Sequence, residues 1–171
     1  MKKSLLSFLL LAMLSTHLIA LENLTEEIDS FNHISITTND LPNLLEFYRN
    51  IIGCKLLPNG GERSGDAISK GIGLENAKLL NYKLQFPNSD VILELIQMEN
   101  PQSADGNKAK INSTGYTHFC LMVKDLDKTY QILKANKVKT ISPPVEVKQT
   151  KAKFFYAYDP DGNIIEIVQV P

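Results

Sequence analysis

The chain has 171 residues, of which 43% are hydrophobic and 22% charged, and its formal net charge is -1. These proportions are typical of a globular domain that is large enough to bury a hydrophobic core. The near-neutral charge, without any run rich in lysine and arginine, argues against a nucleic-acid partner.

Residues 1–20 differ from the rest of the chain. Lys2 and Lys3 form a basic start, residues 5–14 are an apolar run, and a more mixed stretch leads to Ala20. This order predicts a secretory signal peptide at residues 1–20, and the apolar run is short for a bilayer-spanning helix. We therefore expect an exported protein, periplasmic or secreted, with no membrane association after cleavage; an uncleaved anchor is the alternative.

The next part of the chain predicts one strand, one helix and three more strands. Residues 31–38 favour a strand, Asp40 can cap a helix, and Gly53 can end it. Three further strands are predicted at residues 54–57, 79–86 and 91–98. The glycine-rich residues 58–78 between them are interpreted as a mobile loop.

A polar linker is predicted at residues 99–115, and after it the same order of elements returns. A strand with its helix cap at Asp125 is followed by three extended pieces, predicted at residues 140–147, 154–158 and 164–170. The sequence therefore predicts one α+β domain at residues 31–170 with two tandem βαβββ modules, at residues 31–98 and 116–170. The two modules are expected to form a curved mixed sheet that encloses a cavity.

The two predicted modules carry matching histidines and glutamates. His33 and His118 lie in the first strand of each module, and Glu94 and Glu166 lie in the last strand among apolar residues. A carboxylate in such a strand must be neutralised, paired or bound to a metal, because its desolvation costs several kcal/mol. Strand parity is consistent with all four side chains facing the cavity.

Two imidazoles and two carboxylates are suitable ligands for a borderline divalent ion such as Ni, Zn, Co, Fe or Mn. Four protein ligands on an octahedral ion leave two positions for water or a bidentate small-molecule substrate. The alternative is a pair of buried His–Glu hydrogen bonds without a metal. Because matched pairs occur in both modules, we favour the metal.

These residues, together with several local motifs, resemble the vicinal oxygen chelate family. That family includes glyoxalase I, methylmalonyl-CoA epimerase, extradiol dioxygenases and antibiotic-resistance proteins. The resemblance covers about residues 31–170. Besides the His and Glu positions, the matching motifs are Asp40-Leu41, Phe47-Tyr48-Arg49, Ile52-Gly53, Leu93-Glu94-Leu95 and Asp159-Pro160-Asp161-Gly162-Asn163.

The resemblance implies that His33, Glu94, His118 and Glu166 are metal ligands. It also implies a lyase or isomerase of glyoxalase I type, in which a metal-site carboxylate moves a proton next to a chelated carbonyl. Glu166 is the first choice for this base and Glu94 the second. The alternatives are an Fe(II) extradiol-type dioxygenase and a non-catalytic small-molecule binding protein. Family members form the site within one chain or across a homodimer, and both arrangements stay open.

Two positions depart from glyoxalase I. Thr37 stands where a basic residue typically engages the glutathione carboxylate, and Met98 stands where a polar contact is expected. Together with the predicted export, these departures argue against glutathione as the substrate. Cys54 and Cys120 are too few for a disulfide framework, so buried free thiols are expected and a single disulfide is the alternative.

Overall fold

The computed structural model describes residues 23–104, 106 and 110–171. The predicted signal peptide at residues 1–20 and part of the predicted linker at 99–115 lie outside these residues. Asn32–Pro171 belong to one compact unit. Within the described residues, no helix has the length and apolar character needed to cross a membrane.

The first module begins with a strand and a helix whose boundaries follow from local sequence. The Asp40 side chain accepts a hydrogen bond from the Asn43 backbone N–H at the helix start, and Gly53 ends the helical segment at φ +88°. In chain order the elements are β1 (His33–Thr37), α1 (Leu41–Glu46), a π-helical continuation (Phe47–Ile52), β2 (Lys55–Leu56), β3 (Gly61–Ser64), α2 (Asp66–Ile72), β4 (Lys78–Gln85) and β5 (Ile92–Asn100).

The second module repeats this plan with fewer elements. Asp125 caps its helix by accepting from the Lys128 backbone N–H. The elements are β6 (His118–Met122), α3 (Leu126–Ala135), β7 (Val145–Glu146), β8 (Lys153–Tyr158) and β9 (Ile164–Gln169). The sheets have the equivalent orders β1-β5-β4-β2 and β6-β9-β8-β7, with β1/β5 and β6/β9 parallel and the other pairs antiparallel. The α+β class is confirmed, with two mixed sheets.

The glycine-rich segment at residues 58–78 is more ordered than predicted. It contains β3, which pairs with β4, and the short helix α2. The prediction of a mobile loop was wrong because three of its glycines lie at element boundaries with positive φ. These are Gly61, Gly65 and Gly73, at φ +141°, +100° and +70°. Such positions end or begin regular structure and do not interrupt it.

One hydrophobic core joins both modules. On β5, Leu93 and Leu95 are fully buried, and Phe155 and Ile165 of the second module belong to the same cluster. Between the modules, the Phe119 ring lies 6.5 Å from that of Tyr48. The strand faces that carry the predicted ligands point away from this core, as strand alternation requires.

The two cysteines are free. Cys54 is buried, and its surroundings raise the pKa of its thiol to about 12 by desolvation. Cys120 is exposed, so the prediction of a buried thiol was wrong for this residue. The reason is its position on the open face of β6, opposite Glu166 of β9.

Candidate active site

The structure brings each predicted histidine into contact with the glutamate of its own module. His33 Nε2 lies 3.3 Å from Glu94 Oε2, and His118 Nε2 lies 3.4 Å from Glu166 Oε2. The register explains this symmetry. Ser35 is the partner of Glu94 across β1 and β5, and Cys120 is the partner of Glu166 across β6 and β9, so each histidine lies two residues before that position.

The other ring nitrogen of each histidine contacts the residue before it. His33 Nδ1 lies 2.6 Å from Asn32 Oδ1, and His118 Nδ1 lies 2.9 Å from Thr117 Oγ1. Because Oδ1 can only accept, His33 Nδ1 donates, and Nε2 of the neutral ring then presents a lone pair to Glu94. Two acceptors come this close when a proton or a metal cation lies between them. The orientation therefore fits both an imidazolium–carboxylate pair and a metal ligand.

Three further polar groups surround Glu94. Ser35 Oγ donates to Oε2 at 2.5 Å, Asn81 Nδ2 donates to Oε1 at 2.7 Å, and Lys83 Nζ lies 3.8 Å from Oε1. Burial raises the pKa of the Glu94 carboxyl, but the two hydrogen bonds and the charges of His33 and Lys83 outweigh this and hold the pKa below its ordinary value. Glu94 is therefore fixed as a carboxylate.

Glu166 receives less support. Tyr156 Oη is 3.4 Å from Glu166 Oε1, a long hydrogen bond, and Cys120 is the cross-strand partner of Glu166 on β6. Burial and the neighbouring Glu166 raise the pKa of the Cys120 thiol to about 11. Cys120 is consequently protonated near neutral pH and adds no negative charge beside Glu166. The two carboxylates thus occupy equivalent positions in different surroundings.

The spacing within each pair fits a shared metal ion. Two ligands that each lie about 2.1 Å from one ion are about 3.0–3.4 Å apart for octahedral to tetrahedral bond angles. The His–Glu distances of 3.3 and 3.4 Å match that range. Within the described residues of one chain, no group of three or more His, Cys, Asp or Glu side chains is placed to hold a metal. The four predicted ligands therefore stand as two pairs, and their assignment as ligands stays a prediction.

The residues around Glu94 were not identified from the sequence. Lys83 lies directly across the β4–β5 hairpin from Glu94, and Tyr156 lies across the β8–β9 hairpin from Glu166. Counting back from each turn would have found both residues, because antiparallel partners share a face. Ser35 lies two residues after His33 and on the same face of β1, but its hydrogen bond to Glu94 depends on the parallel register of β1 and β5.

Comparison with known proteins identifies the family of the chain. The family model described as Glyoxalase/Bleomycin resistance protein/Dioxygenase superfamily matches residues 30–167. The chain belongs to this superfamily. A solved glyoxalase family protein from Bacillus cereus superposes with a TM-score of 0.75 at 20% identity, covering 84% of this chain and 95% of that one.

Curated relatives match most of this chain at low sequence identity. The uncharacterized protein YraH of Bacillus subtilis (strain 168) is 30% identical over 126 residues, which cover 70% of this chain and 98% of that protein. The lactoylglutathione lyase of Schizosaccharomyces pombe is 26% identical over 144 residues, 80% of this chain and 46% of that enzyme. The chain thus spans about half the length of that lyase.

Proposed function

We propose that this protein is an exported, divalent-metal-dependent lyase or isomerase of glyoxalase type, acting on a small α-hydroxycarbonyl compound. The observation that carries the proposal is the pair of matched His–Glu contacts at ligand spacing, one in each module. The similarity to lactoylglutathione lyases supports the same reaction class. Thr37 and Met98 argue against the glutathione part of that substrate.

The metal would be held by His33, Glu94, His118 and Glu166. A bound divalent ion polarises a chelated carbonyl and so acidifies the hydrogen on the adjacent carbon. Glu166 then takes and returns that proton. Its carboxylate has one long hydrogen bond from Tyr156 and a thiol neighbour, whereas both oxygens of Glu94 accept short hydrogen bonds. Glu166 is therefore better able to turn towards a substrate, and Glu94 is better suited to a fixed role.

The two pairs come together between two copies of the chain. Each pair lies on a strand face that is partly open, with side-chain exposures of 35% for His33 and 27% for His118. Next to His118 the same face carries Cys120 and Met122, and Met122 is 71% exposed. Tyr116, two residues before His118, is 68% exposed, so two large apolar side chains border this polar site, as on surfaces that bind another protein. A homodimer would pair the first module of one copy with the second module of the other.

The proposed reaction is tested by proton exchange on a panel of α-hydroxyketones in D₂O, followed by NMR. Protein stripped with a chelator should be inactive, and Ni²⁺ should restore exchange. Glu166→Gln should lower the restored rate by about 10²–10⁴-fold, the usual contribution of a positioned base. Glu146→Gln is the matched control, because Glu146 lies on β7 in an exposed ion pair with Lys151. Full exchange by stripped protein, or by Glu166→Gln, would contradict the proposal.

A further inference from the structure

The two strand faces that carry the His–Glu pairs differ in chemistry. In the first module, the residues of β4 on the face of Glu94 include Asn81, Lys83 and Gln85, the cross-strand partners of Ile96, Glu94 and Ile92. Lys55 of β2 extends this face at the sheet edge, opposite Gln85. This wall of the site is polar and carries positive charge.

The equivalent wall of the second module is aromatic. Tyr156 takes the position of Lys83, opposite Glu166, and Phe154 lies opposite Val168. The Tyr156 ring stands edge-on to the His118 imidazole, with centroids 5.4 Å apart, and its centroid is 5.9 Å from that of Phe154. Both rings are half-buried. Such a wall favours contact with a planar or apolar part of a ligand.

Lys83 is the charged group of the first wall that lies beside a predicted metal ligand, Glu94. Among the described residues its ion-pair partner is Glu94, and its side chain is 40% exposed. That carboxylate would be a ligand of the cation in the proposed function, so a divalent charge would stand close to the Lys83 ammonium. The cation and the Lys83 ammonium would repel each other, and an anionic group of the ligand beside Lys83 would relieve the repulsion.

We propose that the substrate combines vicinal oxygens with a separate anionic group, bound by Lys83, and a planar apolar part, bound against Tyr156 and Phe154. The inference rests on the proposed function, because a metal held by both pairs is what brings the two walls to opposite sides of one ligand. It holds whichever copy of the chain supplies the second pair. Lys83 thereby selects the charge of the substrate and the aromatic pair selects its shape.

Calorimetry of Ni²⁺-loaded protein under nitrogen tests this with three chelating compounds. These are 3,4-dihydroxybenzoate, its methyl ester, which lacks the charge, and acetohydroxamate, which lacks the ring. For the parent protein we expect the acid to bind at least about tenfold more tightly than the ester, equivalent to about 1.4 kcal/mol. Lys83→Gln should remove this difference in affinity without weakening the binding of the ester. Lys83→Arg, and Lys134→Gln in the last turn of α3, outside this wall, should preserve it.

The aromatic wall is tested with the same compounds. Phe154→Leu should weaken both ring-bearing compounds about fivefold, in line with the energy of an aromatic pair, and should leave acetohydroxamate unchanged. The inference would be overturned, while the proposed function stands, if the parent protein bound the acid and the ester with nearly equal affinity. It would also be overturned if the preference for the acid survived Lys83→Gln. Failure of the parent protein to bind Ni²⁺ at all would instead overturn the proposed function, and the inference with it.

Discussion

Tyr48 is a buried residue whose hydroxyl connects the two modules. Its Oη donates to Asp159 Oδ2 at 3.1 Å, and Asp159 also accepts from the backbone and side-chain nitrogens of Asn163. Burial, together with the nearby Asp159 carboxylate, raises the pKa of Tyr48 well above its ordinary value. The bond therefore connects the π-helical continuation of α1 to the β8–β9 turn of the second module.

Replacing Tyr48 by Phe should lower the free energy of unfolding by about 1–3 kcal/mol near neutral pH, because a buried carboxylate loses a donor. The effect should shrink in alkali. Tyr48 stays protonated in the folded chain, while an unfolded tyrosine ionises above about pH 10, so the parent protein loses this part of its stability as pH rises. In urea unfolding, the difference in free energy of unfolding between the parent and the Tyr48→Phe protein should fall by about 1.4 kcal/mol between about pH 8 and pH 11.

Tyr130→Phe is the control for this experiment. The Tyr130 ring packs edge-on to Phe155, and no hydrogen bond of its hydroxyl is seen within the described residues. We expect its stability near neutral pH to stay within about 0.5 kcal/mol of the parent. A Tyr48→Phe protein that is as stable as the parent at both pH values would contradict the role given to the Tyr48 hydroxyl.

At this scale, the sequence reveals the site residues that repeat and misses the ones that do not. His33 and Glu94 are recognisable because His118 and Glu166 recur in the same context. Lys83 has Tyr156 as its counterpart, so no repeated pattern marks it. The contacts of Glu94 with its neighbours depend on hairpin register and side-chain rotamers, which composition and spacing do not determine.

At the scale of elements, the first helix of each module, α1 or α3, is bonded to the strand that carries the glutamate of that module. Gln97 Oε1 accepts from the Leu41 backbone N–H at 3.0 Å, and Gln169 Oε1 accepts from the Leu126 backbone N–H at 2.8 Å. Both glutamines lie three residues after the glutamate of their strand. Each therefore satisfies a first-turn N–H group that has no partner within its own helix.

Gln97→Ala and Gln169→Ala should each lower the free energy of unfolding by about 1 kcal/mol, the usual cost of a lost helix cap. Because the two contacts lie in different modules, the double variant should show nearly the sum. Urea denaturation measures all three. Gln131→Ala, at an exposed position of α3, is the control and should leave the free energy of unfolding unchanged. If it lowered the free energy of unfolding as much as the other two substitutions, the hydrogen bonds of Gln97 and Gln169 would contribute nothing.

Element order was largely predictable from the sequence, and the extra elements of the first module were not. Alternating apolar residues and helix caps at Asp40 and Asp125 correctly predicted the repeated strand–helix order. The β3–α2 insertion was missed because its glycines favour a loop on local grounds. Its strand exists through pairing with β4, a tertiary contact that overrides local propensity.

At the scale of the whole molecule, the fold divides the predicted metal site into halves. The core lies on one side of each sheet, and the His–Glu pairs lie on the other. The sequence predicted which residues form each half but left open whether one chain or two complete the site. Whether one chain or two complete the site depends on which strand faces pack together, and the hydrophobic pattern of a strand does not determine this.

Mixed dimers test this account most directly. One variant carries His33→Ala and Glu94→Ala, the other carries His118→Ala and Glu166→Ala, and the two are co-expressed with different histidine-free tags and purified through both. Titration with Ni²⁺ should give about one tight site per mixed dimer, with parental affinity, and binding at least about 100-fold weaker by either variant alone. Mixed dimers that bind no better than the separate variants, or a parent protein that takes up no Ni²⁺, would contradict the account.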